Sequence, residues 1–96
     1  MKVVYEPAAY EEVLEASSWY LAEAGERYAE ALIREIDAKL ALLMRQPKIG
    51  TPSGNQMRRM PLKVFPYTLH YKIESELIRI FAFAHQKRRP GYWLKR

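Results

Sequence analysis

The chain has 96 residues, no cysteine and a formal net charge of +5, with 49% hydrophobic residues. A chain of this length forms one domain, residues 1–96, and the lack of cysteine excludes disulfides and thiolate chemistry. No apolar run approaches the roughly 20 residues of a membrane-spanning helix, and residues 1–7 turn polar too soon for a signal peptide. We therefore expect a cytoplasmic protein.

Charge is divided unevenly along the chain. Residues 1–46 hold five Lys/Arg and nine Asp/Glu, whereas residues 47–96 hold eleven Lys/Arg and two Asp/Glu. This asymmetry predicts one acidic surface and one basic surface. The basic surface is a candidate for binding nucleic acid or an acidic partner.

The first half of the chain predicts a short strand and then a helix. Val3–Tyr5 is β-prone, and Pro7 ends that run and suits the first turn of a helix. Good helix formers follow from Ala8 to Ala24, and Gly25 can end this helix in a left-handed conformation. The stripe predicted to be buried in this helix is Tyr10, Leu14, Ser17, Leu21 and Ala24.

A second helix is predicted from Glu26 to about Arg45. Pro47 prevents its continuation. The short link at Gly25 makes the two helices an antiparallel hairpin. The stripe predicted to be buried in the second helix is Ala29, Leu32, Ile33, Ile36, Leu40 and Leu43.

The second half of the chain predicts a loop and three strands. Residues 47–55 are dense in helix and strand breakers and predict a loop, and Met57–Met60 begins a strand. Residues 67–73 alternate between apolar and polar, which indicates a half-buried strand. After a turn at residues 74–76, residues 77–84 become apolar on both faces, which indicates a central strand.

These elements predict an α+β fold of order β-α-α-β-β-β, with a helical hairpin on one face of a small, mostly antiparallel sheet. The opposite face is expected to carry polar and basic residues together with the basic end of the chain. The predicted residues of that face are Arg58, Arg59, Thr68, His70 and Lys72.

The sequence contains no metal-binding or cofactor-binding signature. There is no glycine-rich phosphate loop, no Cys/His spacing and no nucleophile elbow around any serine. The expected cleft side is almost free of Asp and Glu, which argues against hydrolysis by paired carboxylates. We expect no metal and no cofactor.

Cations and aromatic residues of the second half of the chain form the candidate target-binding site. Arginine grips phosphate by forked hydrogen bonds, and aromatic rings stack on exposed bases. The same side chains anchor protein–protein interfaces. The alternative is a solvated basic tail whose Trp93 folds back to close the core. The candidate binding residues are Arg58, Arg59, Lys87, Arg88, Arg89, Tyr92 and Trp93.

An ordered set of features gives the chain a family resemblance. Pro7-Ala8 opens a two-helix hairpin, Pro47 and Gly50 follow it, and Ile78-Arg79-Ile80 runs into Ala84-His85. The basic and aromatic run of residues 85–93 follows, close to the end of the chain. In these features nearly the whole chain resembles the RelE/ParE superfamily of toxins from type II toxin–antitoxin modules, including plasmid-stabilisation proteins.

The resemblance implies a small basic toxin that a cognate antitoxin neutralises in a hetero-oligomeric complex. RelE-like members cleave mRNA in the ribosomal A site, and ParE-like members inhibit DNA gyrase. If the protein is a nuclease, its candidate catalytic residues are His85, Arg88 and Tyr92: the resemblance implies roles for Arg88 and Tyr92, and His85 is the candidate for acid–base work. Thr68, however, stands where RelE-like enzymes place an arginine that supports transition-state charge, and this favours gyrase as the target. A non-toxic RNA-binding or partner-binding module is the third interpretation.

Overall fold

The computed structural model describes all residues from Met1 to Arg96. Two helices pack on one face of a five-stranded sheet. In chain order the elements are β1 (Lys2–Tyr5), α1 (Pro7–Ala24), α2 (Glu26–Arg45), β2 (Thr51–Gly54), β3 (Met57–Pro61), β4 (Tyr67–Glu74) and β5 (Leu77–His85). Short 3-10 turns cover Pro47–Ile49 and Tyr92–Lys95. No helix combines the length and the apolar character needed to cross a membrane.

The sheet is mixed and mostly antiparallel, with the strand order β1-β5-β4-β3-β2. β1 pairs in parallel with β5, placing Val3 opposite Ile78, and the other neighbouring strands pair antiparallel. The parallel pair is possible because the connection between the two strands is long and contains α1, α2 and β2–β4. The predicted α+β class, with a helical hairpin on one face of the sheet, is confirmed.

One strand was not predicted. Residues 47–55, expected to form a loop, contain β2, which pairs with β3 and places Pro52 opposite Arg58. The pairing is irregular between Pro52 and Gly54. Proline is tolerated there because β2 is an edge strand, where an amide that faces outward needs no partner. The sheet therefore has five strands rather than four.

The predicted buried stripe of α1 is wrong. Tyr10, Leu14 and Leu21 are 49%, 42% and 52% exposed. The residues of α1 that face the core are smaller and lie on a neighbouring stripe, and their size allows the helix to approach β5 closely. They are Ala9, Val13 and Ala16, with Tyr20 half-buried beside them. In α2 the predicted Leu32, Ile36 and Leu43 are buried, but Ile33 is 38% exposed.

Tyr71 joins the main core to the chain that leaves α2. Its side chain is fully buried, its hydroxyl donates a hydrogen bond to the Pro47 carbonyl at 2.6 Å, and it accepts one from the Gly50 amide at 2.9 Å. A Cβ at Gly50 would lie 2.5 Å from that hydroxyl, so no larger residue fits without displacement. This contact determines where β2 begins.

A bulge in the middle of β5 changes which residues of the strand face the main core. Tyr71 pairs with Ile80 and His70 pairs with Ala82, so Phe81 is the extra residue. Ile80 and Phe83 pack in the main core, whereas Phe81 and Ala82 pack on the opposite side. We call that opposite side the second face. A second, smaller core lies there, formed by Met57, Ala82, Ala84 and Trp93.

Candidate target-binding site

The residues after β5, which we call the C-terminal tail (residues 86–96), fold back across the second face. The chain turns at His85, whose carbonyl accepts from the Arg88 amide at 2.9 Å and whose Nδ1 accepts from the Lys87 amide at 3.1 Å. Gly91 then adopts φ 78°, a left-handed conformation that glycine accepts at little cost. This turn leads into the 3-10 turn that returns Trp93 to the sheet.

Trp93 covers His70 on the second face. The two rings stack with their centroids 3.7 Å apart, and the residues are 9% and 8% exposed. Neither the indole Nε1 nor the imidazole Nδ1 has a hydrogen-bond partner. Burial, together with the nearby Arg59 guanidinium, lowers the pKa of His70 from 6.5 to about 4. His70 is therefore neutral at physiological pH.

Glu12 of α1 anchors the C-terminal tail. Its carboxylate accepts hydrogen bonds from the Phe83 amide at 3.0 Å, from Arg96 at 2.9 and 3.2 Å, and from the Tyr92 hydroxyl. Arg88 lies 3.7 Å from the same carboxylate. Burial alone raises the pKa of Glu12, but the hydrogen bonds from Arg96 and Tyr92 outweigh it, and the pKa is lowered. Burial and the Glu12 carboxylate raise the pKa of Tyr92 to about 12.

Arg88 and Tyr92, both predicted site residues, contact each other in the tail. The Arg88 guanidinium lies over the Tyr92 ring, 3.8 Å from its centroid. This cation–π contact and the neighbouring Glu12 carboxylate hold Arg88 in place from two sides. Its side chain is nevertheless 55% exposed, so it still presents charge to solvent.

A pocket of about 250 Å³ lies where the second face meets the tail. Four predicted site residues line this pocket: Arg59, His85, Arg88 and Trp93. Thr68 and His70 lie at its wall and are both buried. The structure thus brings together residues that are up to 34 positions apart in sequence, on β3, β4, β5 and the tail.

Arg58 does not belong to this site. It follows Met57 and precedes Arg59 on β3, and successive side chains of a strand point to opposite faces. Its guanidinium donates to the carbonyls of Lys48 and Gly50 at 3.0 and 2.8 Å. The expectation that Arg58 lies on the second face is wrong. Because side chains alternate along β3, Arg58 points to the other face, where it contacts the segment after α2.

Among the predicted site residues, three cations are exposed and form no ion pair or side-chain hydrogen bond, and we call them the free cations. They are Arg59, Lys87 and Arg89. Arg59 lines the pocket, whereas Lys87 and Arg89 lie on the tail outside it. Arg58, Arg88 and Arg96, by contrast, all have acceptor or carboxylate partners. Within the predicted site, positive charge for an acidic target is therefore most available at the free cations.

Residues 3–90 match the sequence profile of a family described as the ParE toxin of the type II toxin–antitoxin system parDE. The chain belongs to the ParE toxin family. The fold is similar to that of a chain from the chromosomal ParDE toxin–antitoxin system of P. aeruginosa, with a TM-score of 0.77 and 17% sequence identity. The match covers 88% of this chain and 95% of that chain. No match was found among curated protein sequences.

Membership of the ParE family confirms the predicted place in the RelE/ParE superfamily. The residue that sequence reasoning missed in this ParE toxin is Glu12, which appears in the sequence only as one of several acids on α1. Its partners lie 71 to 84 residues away, so no local pattern indicates its role. No cluster of three or more His, Asp or Glu residues is arranged to hold a metal ion.

Proposed function

We propose that this protein is the toxin of a type II toxin–antitoxin module and that it arrests growth in the cytoplasm by inhibiting DNA gyrase. Membership of the ParE family supports the toxin assignment. The observation that supports gyrase rather than ribosome-bound mRNA as the target is the charge and the contacts of the side chains that line the pocket between the second face and the tail. Most of the groups that an mRNA nuclease would need there, with the exception of Arg59 and His85, are neutral or already form other contacts.

The pocket has few cations that could stabilise the negative charge that develops on a phosphate during cleavage. An mRNA nuclease must stabilise a pentacoordinate phosphate, and one missing charge stabiliser costs on the order of 3 kcal/mol of transition-state binding. Thr68 provides only a buried, neutral hydroxyl at the wall of the pocket. Arg88 is partly neutralised by Glu12 at 3.7 Å. Arg59 alone lines the pocket as an unpaired cation.

The pocket also has few side chains that could transfer protons at neutral pH. His70 is buried under Trp93, and burial lowers its pKa to about 4. The Tyr92 hydroxyl donates to Glu12 and has a pKa raised to about 12, far from the value that suits acid–base catalysis at neutral pH. His85 is the one remaining candidate for proton transfer at the pocket.

Inhibition of gyrase needs a docking surface rather than a reacting group. The free cations and the exposed part of Arg88 supply positive charge along the tail and the pocket rim. Such a surface attracts an acidic partner over a distance that is set by ionic strength. A surface of this kind is consistent with a protein that binds its target and does no chemistry on it.

The deciding experiment compares two activities of the purified protein. We expect inhibition of DNA supercoiling by gyrase and no codon-specific cleavage of ribosome-bound mRNA. His85→Ala is expected to leave gyrase inhibition intact. Robust A-site cleavage that is lost in His85→Ala would overturn the proposal and identify a RelE-like nuclease. A nuclease activity that Thr68→Arg strengthens would indicate a weakened enzyme of that type.

The partner that we propose is an antitoxin whose extended, partly helical segment binds the outer side of the helical hairpin. A groove of about 440 Å³ lies between α1 and α2, lined by Leu21, Ala29 and Ile33. Leu14, on the same stripe of α1 as Leu21, is also exposed. Contiguous exposed apolar residues mark an interaction surface, and a groove between helices suits an amphipathic helix.

Co-expression with the product of the adjacent reading frame tests this partner. We expect a stable complex that co-purifies and a loss of growth arrest. A protein that stays soluble alone, arrests no growth and captures no product of that frame would favour the non-toxic module instead. The gyrase assay and this assay are independent, so the failure of one leaves the other informative.

A further inference from the structure

Glu12 is the residue through which α1, β5 and the C-terminal tail are held together. Its side chain is only 10% exposed, and carboxylates are rarely so buried unless they are paired. Phe83 donates from β5, and Tyr92 and Arg96 donate from the tail. One carboxylate of a helix thus receives donors from two other parts of the fold.

The end of the tail has few other polar anchors. Between residues 89 and 96, the hydrogen bonds to the body of the protein go to Glu12 and to the Phe81 carbonyl, which accepts from Arg96 at 2.9 Å. The backbone bonds of Leu94 and Arg96 stay within the tail. Glu12 therefore provides most of the polar attachment of this segment.

The apolar attachment of the tail is weakened by its own polar atoms. Trp93 stacks on His70, but the stack buries the indole Nε1 and the imidazole Nδ1 without partners. Unpaired buried polar atoms carry a desolvation cost that hydration of an open tail would remove. These unpaired nitrogens offset part of the stabilisation gained by burying the indole in the second core, and Glu12 supplies most of the polar stabilisation of the closed tail.

We propose that Glu12 is a positioning residue for the target-binding surface, because it holds the tail closed and so sets the place of Arg88 beside Arg59 at the rim of the pocket. The inference rests on the proposed function, since the tail is the surface that would meet the target. A cation held in one geometry binds its partner with less loss of conformational entropy than a cation on a mobile tail.

Charge and position have opposite effects when Glu12 is changed, and this makes the inference testable. Glu12→Gln raises the formal net charge by one, which by attraction alone would strengthen binding to an acidic target. Loss of the tail's position would weaken it. Glu15→Gln changes the charge equally, one turn further along α1, at an exposed carboxylate with no hydrogen bond to the tail. It is the matched control.

Trp93 reports the position of the tail directly. The sequence contains two tryptophans, so Trp19→Phe, a change at a 57% exposed residue, leaves Trp93 as the single emitter. In that background Glu12→Gln should shift the emission to longer wavelength and increase acrylamide quenching. We expect the same change to weaken inhibition of gyrase at least about tenfold, as the loss of charge-assisted hydrogen bonds predicts. Glu15→Gln should leave the emission unchanged and should not weaken inhibition, since it changes the charge without releasing the tail.

Two variants on the tail side guard against a general loss of folding. Tyr92→Phe removes only the hydroxyl that Glu12 accepts from, and Arg96→Ala removes the paired guanidinium. Circular dichroism would show that both remain folded, and both should release Trp93 in the same direction as Glu12→Gln. Agreement among the three variants would support a role for the contact itself.

Each contrary outcome has its own meaning. If Trp93 stays buried in Glu12→Gln and in Tyr92→Phe, Glu12 does not hold the tail. If Trp93 is released while inhibition is unchanged or stronger, the position of the tail does not matter for the target. A wild-type protein without effect on supercoiling would overturn the proposed function, and the fluorescence comparison would still decide whether Glu12 holds the tail.

Discussion

The indole of Trp93 stacks on the imidazole of His70, with 3.7 Å between the ring centroids and 28° between the ring planes. The stack closes the second face and leaves a nitrogen of each ring buried without a partner. It also keeps His70 uncharged, because an imidazolium under the indole would be poorly solvated and would face Arg59. The indole of Trp93, which the sequence suggested as a surface for stacking bases, is thus part of the second core.

Acid should destabilise the fold through His70. The unfolded state binds a proton as pH falls below 6.5, whereas the folded state does so only near pH 4, so stability falls with pH across that window. The loss is about 3 kcal/mol at most. His70→Phe should flatten the dependence between pH 6.5 and 4, as measured by urea unfolding followed by circular dichroism. Thr68→Val, a change at a neighbouring buried residue that does not titrate, should leave it in place. An equal slope in all three proteins would contradict the burial of a neutral His70.

We expect the two free cations of the tail, Lys87 and Arg89, to contribute strongly to target binding. We expect Lys87→Glu/Arg89→Glu to weaken inhibition of gyrase at least about tenfold, because both reversed charges meet an acidic partner. Neither residue has a partner in the fold, so stability should change by less than about 0.5 kcal/mol per site. Arg27→Glu/Arg34→Glu makes the same charge change on α2 and is the control. Wild-type inhibition should also weaken as salt rises. Equal loss in both double variants would indicate an effect of net charge alone.

Changes in the outer groove of the helical hairpin should impair neutralisation by the antitoxin and should leave growth arrest unchanged. Leu21→Glu/Ile33→Glu places two charges where an apolar helix face would bind, and each position is already exposed in the fold. We expect the variant to arrest growth as wild type does and to escape co-expressed antitoxin. Ala22→Glu/Ala38→Glu adds the same charges at exposed helix positions outside the groove and should remain neutralised. A pull-down of the two proteins measures the difference. Full neutralisation of the groove variant would place the antitoxin elsewhere.

Tyr71 should contribute to stability through its hydroxyl. Tyr71→Phe leaves the buried Gly50 amide without its acceptor, which costs about 1–3 kcal/mol. The midpoint of thermal unfolding should fall by several degrees, at about 4–8 °C per kcal/mol for a domain of this size. Tyr28→Phe, at a 56% exposed tyrosine of α2, should leave the midpoint unchanged. A stable Tyr71→Phe would mean that water replaces the hydroxyl at Gly50.

Local sequence patterns predicted the elements and much of their burial. The alternation of residues 67–73 correctly separates Leu69 and Tyr71, in the main core, from Thr68 and His70, on the second face. Period-two alternation is a local property of the strand, and it needs no knowledge of its neighbours. The same holds for Leu32 and its partners in α2. Family membership also followed from sequence, because the set of features spans nearly the whole chain.

The buried face of α1 was not predictable, because that helix is apolar on two sides. Leu14 and Leu21 form an apolar stripe as good as the stripe of Ala9, Val13 and Ala16. Only the close approach of α1 to β5 selects the small residues for the inside. The larger ones are left outside, where the proposed antitoxin site lies.

What the sequence by itself determined is the order of the elements, their periodicity and the place of the basic residues near the end of the chain. Only the tertiary structure decided which of those residues are free to bind. Arg58 is directed to the carbonyls of Lys48 and Gly50, and Arg88 lies beside a glutamate 76 positions earlier. The physical reason is that hydrogen bonds and ion pairs depend on distances of about 3–4 Å. Those distances are set by strand pairing across the sheet and by the folding of the tail back onto the second face. They do not depend on which residues are neighbours in the chain.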